Sequence, residues 1–244
     1  VSRWGPSFRE DYLALNALTD LFPGVPRIAL TATADAQTRS DVVEKLRLND
    51  ARVFVGGFDR PNLRYEVSIK QSERQQLMDF LSATGGDASG IVYCRTRART
   101  EKVAAWMTEW GYQALPYHAG LRPSVRSSAQ RAFLSGENVV IVATIAFGMG
   151  IDKPDVRFVV HMDLPKNIES YHQETGRAGR DGEPADLLML YGDGDAAAIS
   201  RFIFEAESPE KFKAVEFSKL QALLGYCEAI ECRRRVLLRY FDEE

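Results

Sequence analysis

Strand-like apolar runs alternate with helix-like runs through the middle of this chain, and that order limits the folds open to it. The alternating runs are Tyr65–Ile69, Glu73–Ala83, Ile91–Cys94, Thr100–Trp110, Gln113–Tyr117, Pro123–Ser135, Val139–Ala143, Val156–Met162, Asn167–Thr175 and Leu187–Leu190. Strands that alternate with helices favour a mostly parallel sheet with helices on both faces. The alternating pattern therefore predicts that residues 58–192 form one complete α/β lobe.

The segments on either side of this lobe have different patterns. Residues 1–57 suggest the second half of another α/β lobe, and Gly56 and Gly57 mark a hinge after it. Its predicted elements are a helix at Asp11–Leu21, a strand at Arg27–Leu30, a helix at Asp35–Leu46 and a strand at Arg52–Val55. Residues 193–244 are helical in pattern, so we expect a third, helical segment there.

Composition agrees with a globular protein of the cell interior. The chain has 45% hydrophobic and 27% charged residues, with no apolar run of membrane-spanning length and no secretion-type leader. We expect a cytoplasmic protein, at the nucleoid in a bacterium, or a nuclear protein in a eukaryote. The net charge of −3 argues mildly against nucleic-acid binding, but Arg outnumbers Lys 23 to 8 and the arginines cluster. Such clusters suit a narrow track for phosphates.

Two short segments of the central lobe carry the residues best suited to bind phosphate. Ala143–Asp152 reads ATIAFGMGID and follows an apolar strand, so its Thr- and Gly-rich backbone can approach a phosphate chain closely. Gln173–Arg180 reads QETGRAGR and places Arg177 and Arg180 three residues apart. A helical turn presents such a pair on one face, towards a single anionic target.

Together, FGMGIDKP and QETGRAGRDG resemble motifs V and VI of superfamily-two helicases, in the wording of the RecQ family of DNA helicases. Other landmarks of that family follow in its order: Trp4–Arg9 resembles its aromatic-rich loop, Leu30–Ala34 motif III, Phe58–Asn62 the link between lobes, Ile91–Arg97 motif IV and Tyr117–Leu121 the segment after it. The resemblance spans essentially all 244 residues. It implies a second RecA-like lobe, preceded by a partial first RecA-like lobe and followed by the start of a zinc-binding subdomain.

The resemblance also implies an ATP-dependent enzyme that translocates 3′ to 5′ on single-stranded DNA and unwinds duplexes in repair and recombination. Arg180 is the first choice for an arginine finger that neutralises charge on the γ-phosphoryl oxygens, and Arg177 is the second. Asp152, Gly150 and Gln173 are expected to bind the nucleotide. ATP and Mg²⁺ are the implied cofactors of the full-length protein.

Residues that contact DNA are implied at the aromatic loop and at strand ends. The expected DNA-binding set is Trp4, Phe8, Arg9, Arg95, Thr96, His118, Arg126, Thr144 and Gly148. Aromatic side chains would stack on bases, whereas the others would contact the backbone without reading sequence. Thr31 and Thr33 are expected to couple the state of ATP to that of DNA.

Two motifs of ATP chemistry do not occur in these 244 residues. The sequence has no G-x-x-x-x-G-K-[ST] stretch and no DEAH stretch, which the family places ahead of the aromatic loop. Those motifs supply the Lys, Ser/Thr and Asp that hold the phosphates and Mg²⁺. We therefore expect this chain to be the C-terminal part of a helicase core, and to hydrolyse no ATP by itself.

Zinc is implied by the same resemblance. Cys232, in ECRR before LLRYF, resembles the first of four zinc thiolates, and the other three would lie beyond Glu244. One thiolate cannot hold a structural zinc, so we expect zinc in the full-length protein and no metal in this chain.

Plainer interpretations stay open at this point. Arg177 and Arg180 could be surface charges paired with Glu174 and Asp181, and Asp152 could cap a turn. One rival function is a DEAD-box-like RNA helicase, although the aromatic loop and the QETGRAGRDG wording count against it. Another is a nucleic-acid-binding or partner-docking module without catalysis.

Overall fold

The computed structural model describes residues 14–31, 36–48, 50–85, 87–148 and 150–243. The chain forms two compact units, one made of residues 1–59 with 234–244 and the other of residues 60–233. Each unit is described here by itself.

The larger unit contains a six-stranded sheet in the order β1-β6-β5-β2-β4-β3, and each neighbouring pair is parallel. The strands are β1 (Leu63–Ile69), β2 (Gly90–Tyr93), β3 (Gln113–Tyr117), β4 (Val139–Ala143), β5 (Phe158–His161) and β6 (Ala185–Tyr191). Between the strands lie α3 (Glu73–Ala83), α4 (Arg97–Glu109), α5 (Pro123–Ser135) and α6 (Ile168–Thr175). The predicted parallel α/β lobe is confirmed.

The central strands are apolar apart from His161 at the end of β5, because helices cover both faces of the sheet. Successive side chains of β4 therefore enter different clusters. Val140 and Val142 pack with Met107, whereas Ile141 packs with Phe133. Every residue of β2, β4 and β5 is buried.

Parallel pairing brings the carboxyl ends of β2, β4 and β3 to one edge of the sheet, since these strands are neighbours. Arg95, His118 and Thr144 follow those three strand ends. Ligands of such sheets bind at this edge. The sequence expectation that these segments converge agrees with the topology.

Helices continue after the sheet, as the pattern of residues 193–244 indicates. They are α7 (Asp193–Glu205), α8 (Glu210–Glu228) and α9 (Arg233–Tyr240). Helix α8 packs against α6 and α7, and Lys219 on α8 pairs with the buried Glu169 on α6. Among the described residues, no helix is both long and apolar enough to cross a membrane.

The smaller unit differs from the prediction. Its described helices before residue 60 are a 3₁₀ turn at Leu15–Ala17, α1 (Leu18–Leu21) and α2 (Ala36–Lys45), and its later segment holds nearly all of α9. The strands predicted at Arg27–Leu30 and Arg52–Val55 are wrong, because neither segment is a β-strand. A strand needs a hydrogen-bonded neighbour, and within the described ranges the structure pairs none with them.

Side-chain contacts hold the start of the first segment and the residues that follow the second. Arg27 donates hydrogen bonds to the carbonyls of Leu46 and Arg47 at 2.9 and 3.0 Å. The ring of Phe58 stacks on Phe241 with centroids 4.5 Å apart, and the Phe58 amide donates to the Glu243 carboxylate. The apolar side chains of the failed strands, including Leu30 and Phe54, are exposed.

Candidate functional site

The loop that follows β4 is anchored by one aromatic side chain. Phe147 is buried, and its ring meets Tyr117 and Phe133 edge-on with centroids 4.8 and 5.5 Å away. The Thr144 amide donates to the Tyr117 carbonyl, which ties the start of the loop to β3. Gly150 has φ +77°, a conformation that side chains with a Cβ rarely adopt. These contacts fix the start of the loop at Thr144 and Phe147.

Helix α6 and the turn after it carry the two arginines. The Asn167 side chain caps the first turn by accepting from the Ser170 amide at 2.9 Å. The helix ends at Thr175, and the turn passes through Gly179, which has φ +56°. A Cβ at Gly179 would overlap the Asn62 amide group, so only glycine fits.

The side chain of Arg177 contacts the loop after β4. Its Nη1 donates to the Gly148 carbonyl at 2.5 Å, and the side chain is buried. A Cβ at Gly148 would overlap the guanidinium, so this glycine provides the space that Arg177 fills. Arg177 thus joins motif VI to motif V within the lobe.

Arg180 contacts the same loop further along. Its Nη1 donates to the Ile151 carbonyl at 2.8 Å and to Asp152 Oδ1 at 2.7 Å. The Arg180 side chain keeps 33% of its surface exposed, whereas Arg177 is only 9% exposed. Of the two guanidinium groups, that of Arg180 is the one that an incoming anion can reach.

The carboxylates proposed as plain partners of the two arginines have other partners. Glu174 Oε2 lies 2.7 Å from His161 Nε2, and Asp181 pairs with Arg157 at 2.5 Å. The hydrogen bond from Arg157 holds the pKa of the Asp181 carboxyl below its usual value. Asp152, two residues before Pro154, pairs with Arg180, and Gln173 is exposed on α6.

Two residues of the link segment, which sequence reasoning did not assign to the site, hold the turn in place. Arg60 donates to the Ala178 and Gly179 carbonyls at 3.1 and 2.7 Å. Asn62 Nδ2 donates to the carbonyls of Gly179 and Glu183, both at 2.8 Å. A cation at the end of a helix also complements the helix dipole. The only sequence signal was that both residues belong to the FDRPN motif.

The candidate DNA-binding residues after β2 also form contacts within the protein. The Thr96 side chain caps α4 by accepting from the Arg99 amide at 3.2 Å. Arg95 donates from its backbone to Asp163 and from its guanidinium to Asp195, at 2.9 and 2.8 Å. Arg95 is nevertheless exposed, so a backbone phosphate could share its remaining donors.

The segment after β3 brings further basic groups to the edge. His118 is buried, with Nε2 3.1 Å from Glu101 Oε1 and with Nδ1 lacking a hydrogen-bond partner among the described residues. A Cβ at Gly120 would lie 3.0 Å from Arg97 Nη1, so the Arg97 side chain passes over this glycine. Arg126 is half-buried on the first turns of α5.

A charged network that the sequence did not reveal supports Arg95. Asp163 accepts a hydrogen bond from Lys70 Nζ at 2.9 Å and forms an ion pair with Arg99, whose Nε lies 3.0 Å away. Asp195 forms an ion pair with Lys70 at 2.8 Å. Burial alone would raise the pKa of the Asp163 carboxyl, but these hydrogen bonds and positive charges outweigh burial and lower it. The network therefore favours the ionised carboxylate, which fixes the Arg95 backbone.

Several predicted site residues are not part of this cluster. Trp4, Phe8, Arg9 and Thr33 lie outside the described residues. Thr31 is described, belongs to the smaller unit and is exposed.

The cysteines do not form a zinc site within the described part of the chain, where no three His, Cys, Asp or Glu side chains are grouped to hold a metal. Cys232 is exposed, whereas Cys94 and Cys227 are buried. Burial raises the pKa of the Cys227 thiol to about 12, which disfavours the thiolate that zinc requires. The residues present do not fit a four-ligand site.

Two family models match the chain. The model described as "Helicase conserved C-terminal domain" matches residues 70–182, and the model described as "RecQ zinc-binding" matches residues 193–244. A solved structure of a DEAD box protein from the hyperthermophile Methanococcus jannaschii is 28% identical, with a TM-score of 0.47 over 58% of this chain and 40% of that chain.

Curated relatives extend the match over the whole sequence. The ATP-dependent DNA helicase RecQ of Pasteurella multocida is 48% identical over 100% of this chain and 38% of the relative. The RecQ-like DNA helicase BLM of Xenopus laevis is 43% identical over 100% of this chain and 18% of the relative. The chain thus spans about two fifths or less of the length of these relatives. It belongs by sequence to the RecQ family of DNA helicases, as its motifs predicted.

Proposed function

We propose that this chain is part of the motor of an ATP-dependent, 3′-to-5′ DNA helicase. Residues 58–192 form its second RecA-like lobe, residues 1–57 belong to the first lobe, and residues 193–244 begin the zinc-binding subdomain. One observation supports the proposal above the others: Arg177 and Arg180 both bind the glycine-rich loop after β4. Nucleotide-binding and DNA-binding motifs are thereby connected within one lobe.

Arg180 is the proposed arginine finger. Its guanidinium is exposed, and its contacts with the Ile151 carbonyl and Asp152 set its position before an anion arrives. Bound ATP with Mg²⁺ would supply the transferable phosphoryl group. Asp152, Gly150 and Gln173 are proposed to lie along the nucleotide. Arg177, being buried, would hold the loop rather than touch the phosphates.

The DNA track is proposed along the carboxyl ends of β2, β4 and β3. Arg95, Thr96, His118, Arg126, Thr144 and Gly148 are its proposed residues in this lobe, with Trp4, Phe8 and Arg9 in the aromatic loop. Contacts of this kind bind phosphates without reading bases, so binding should weaken steeply with salt. Thr31 and Thr33 are proposed to couple DNA binding to ATP hydrolysis.

Further features of the full-length protein are proposals from the family. Cys232 would supply the first zinc ligand, together with thiolates from outside this chain. Unwinding in DNA repair and recombination would place the protein at the nucleoid, or in the nucleus of a eukaryote.

The test is ATP hydrolysis by a full-length protein that contains this chain, measured with single-stranded DNA, with RNA and with neither. We expect DNA to stimulate turnover and RNA to have little effect. Equal stimulation by RNA would favour an RNA helicase. Absence of turnover in all three samples would favour a non-catalytic module.

A further inference from the structure

A buried histidine–glutamate pair, close to the turn that carries Arg177 and Arg180, has no assigned role. His161 ends β5 and Glu174 lies on α6, and their Nε2 and Oε2 atoms are 2.7 Å apart. Both residues are buried, with exposures of 1% and 9%. A polar pair withdrawn from water has a desolvation cost that only a well-made contact offsets. Glu174 lies three residues before Arg177, so the pair fixes the helical turn that leads to this arginine.

His161 also packs against the aromatic ring of Tyr93, which contacts the loop after β4. Tyr93, at the end of β2, stacks on His161 with centroids 5.2 Å apart and planes 23° apart. The Tyr93 hydroxyl donates to the Phe147 carbonyl at 3.2 Å, directly before Gly148. Burial raises the pKa of the Tyr93 hydroxyl, and the nearby Arg177 charge opposes that rise. Tyr93 therefore contacts the loop after β4 and lies near the charge of the arginine that binds this loop.

These contacts form a closed ring of packed groups. Glu174 meets His161, His161 meets Tyr93, and Tyr93 meets the loop residue Phe147. Arg177 closes the ring by donating to Gly148. A shift of the loop, where DNA is proposed to bind, would therefore displace the end of α6 and the turn that carries Arg180.

We propose that His161 and Glu174 are positioning residues that transmit the position of the DNA-binding loop to Arg177 and Arg180 on the turn after α6. The assignment rests on the proposed function. Neither residue touches ATP or DNA in this role. Their removal should slow DNA-stimulated turnover and leave ATP binding unchanged, because only the alignment of Arg177 and Arg180 is lost.

The experiment is a double-mutant cycle in a full-length protein that contains this chain, with saturating single-stranded DNA. His161→Phe keeps the stacking on Tyr93 and removes the polar contact, and Glu174→Met removes the other partner. Each change should lower kcat about tenfold with KM for ATP within about twofold. The double variant should lose no more than either single variant, since the two residues act as one unit.

Two further variants separate positioning from general damage. Glu174→Gln retains a group that can hydrogen-bond to His161, so kcat should stay within about threefold of the wild type. Glu169→Met removes another buried, paired carboxylate of the same helix, whose partner is Lys219. That control should lower the melting temperature and leave kcat unchanged.

Several outcomes would overturn the proposal. They are losses in kcat that multiply in the double variant, or an equal loss of kcat in Glu169→Met. If Glu174→Met does not fold, His161→Phe with a kcat within twofold of the wild type would also overturn it. Wild-type protein without DNA-stimulated turnover would instead contradict the proposed function itself, so the two failures are distinguishable.

Discussion

Arg177 Nη1 donates a hydrogen bond to the carbonyl oxygen of Gly148 at 2.5 Å, across 29 residues of sequence. The position of Arg177 requires a glycine at residue 148, because the guanidinium occupies the space that a Cβ there would need. One buried charged group thereby joins the loop after β4 to the turn after α6. The contact gives Gly148 a role that its placement in a flexible-looking loop does not suggest.

Gly148→Ala should displace the Arg177 guanidinium. Overpacking of a buried site typically lowers the free energy of unfolding by about 1–3 kcal/mol. We expect that loss in urea unfolding of the 244-residue chain, and reduced DNA-stimulated ATP turnover in the full-length protein. Gly225→Ala is the matched control, since α8 has open space there. It should stabilise the chain by about 0.5–1 kcal/mol; equal losses in the two variants would contradict the account.

Arg60→Met should loosen the turn that carries Arg177 and Arg180. The change keeps a long apolar side chain and removes the donors to the Ala178 and Gly179 carbonyls. The Gly179 carbonyl keeps its donors from Asn62 and the Gly182 amide, whereas the Ala178 carbonyl loses its donor. We expect a loss of about 1–3 kcal/mol, as for one buried acceptor left unpaired. Arg64→Met tests the specificity, because the Arg64–Asp186 pair on β1 is largely exposed on the Arg64 side. That control should cost less than about 1 kcal/mol in the same denaturant titration.

Lys153 is a buried ammonium group that rests over the ring of Phe133, with Nζ 5.7 Å from the centroid. It also donates to the Gly136 carbonyl at 3.0 Å and pairs with the half-exposed Asp155. Lys153→Met keeps the apolar stem and removes the charge, and the half-exposed Asp155 that remains can be solvated by water, so no buried charge is left unpaired. We expect Lys153→Ala to be clearly less stable than Lys153→Met in thermal unfolding. Equal melting temperatures would show that the stem contributes nothing.

Stability should depend on pH through Asp163. Its pKa is lowered in the folded protein, so the unfolded state binds the proton more readily. The stabilisation is present above the unfolded pKa of about 3.9 and is lost as pH falls through the folded value. Asp163→Asn should therefore destabilise the chain at neutral pH, and the difference from the wild type should shrink below about pH 4. A difference that stays constant to pH 3 would contradict the proposed network.

Local sequence patterns predicted most helices and strands of the larger unit, because the hydrophobic pattern of each segment there agrees with the structure that the segment adopts. Gln113–Tyr117, Val139–Ala143 and Pro123–Ser135 have the predicted bounds. Arg27–Leu30 and Arg52–Val55 have equally strand-like composition and form no strand. Pairing, rather than propensity, decides whether an apolar run becomes a strand.

The site was predictable in its motifs and not in its contacts. The spacing of Arg177 and Arg180 indicated a shared target, yet no local signal placed Gly148 under one of them. The guanidinium of Arg95 pairs with Asp195, 100 residues away, and Glu174 on α6 pairs with His161 at the end of β5. Such pairs arise from tertiary packing, which periodicity and motif spacing do not encode.

The most direct test of the central claim is ATP turnover by Arg180→Ala in a full-length protein that contains this chain. Loss of an arginine finger should reduce kcat by roughly 10³-fold or more, with affinity for single-stranded DNA nearly unchanged. Turnover equal to that of the wild type would contradict the assignment of Arg180 to the γ-phosphate, and with it the proposed motor.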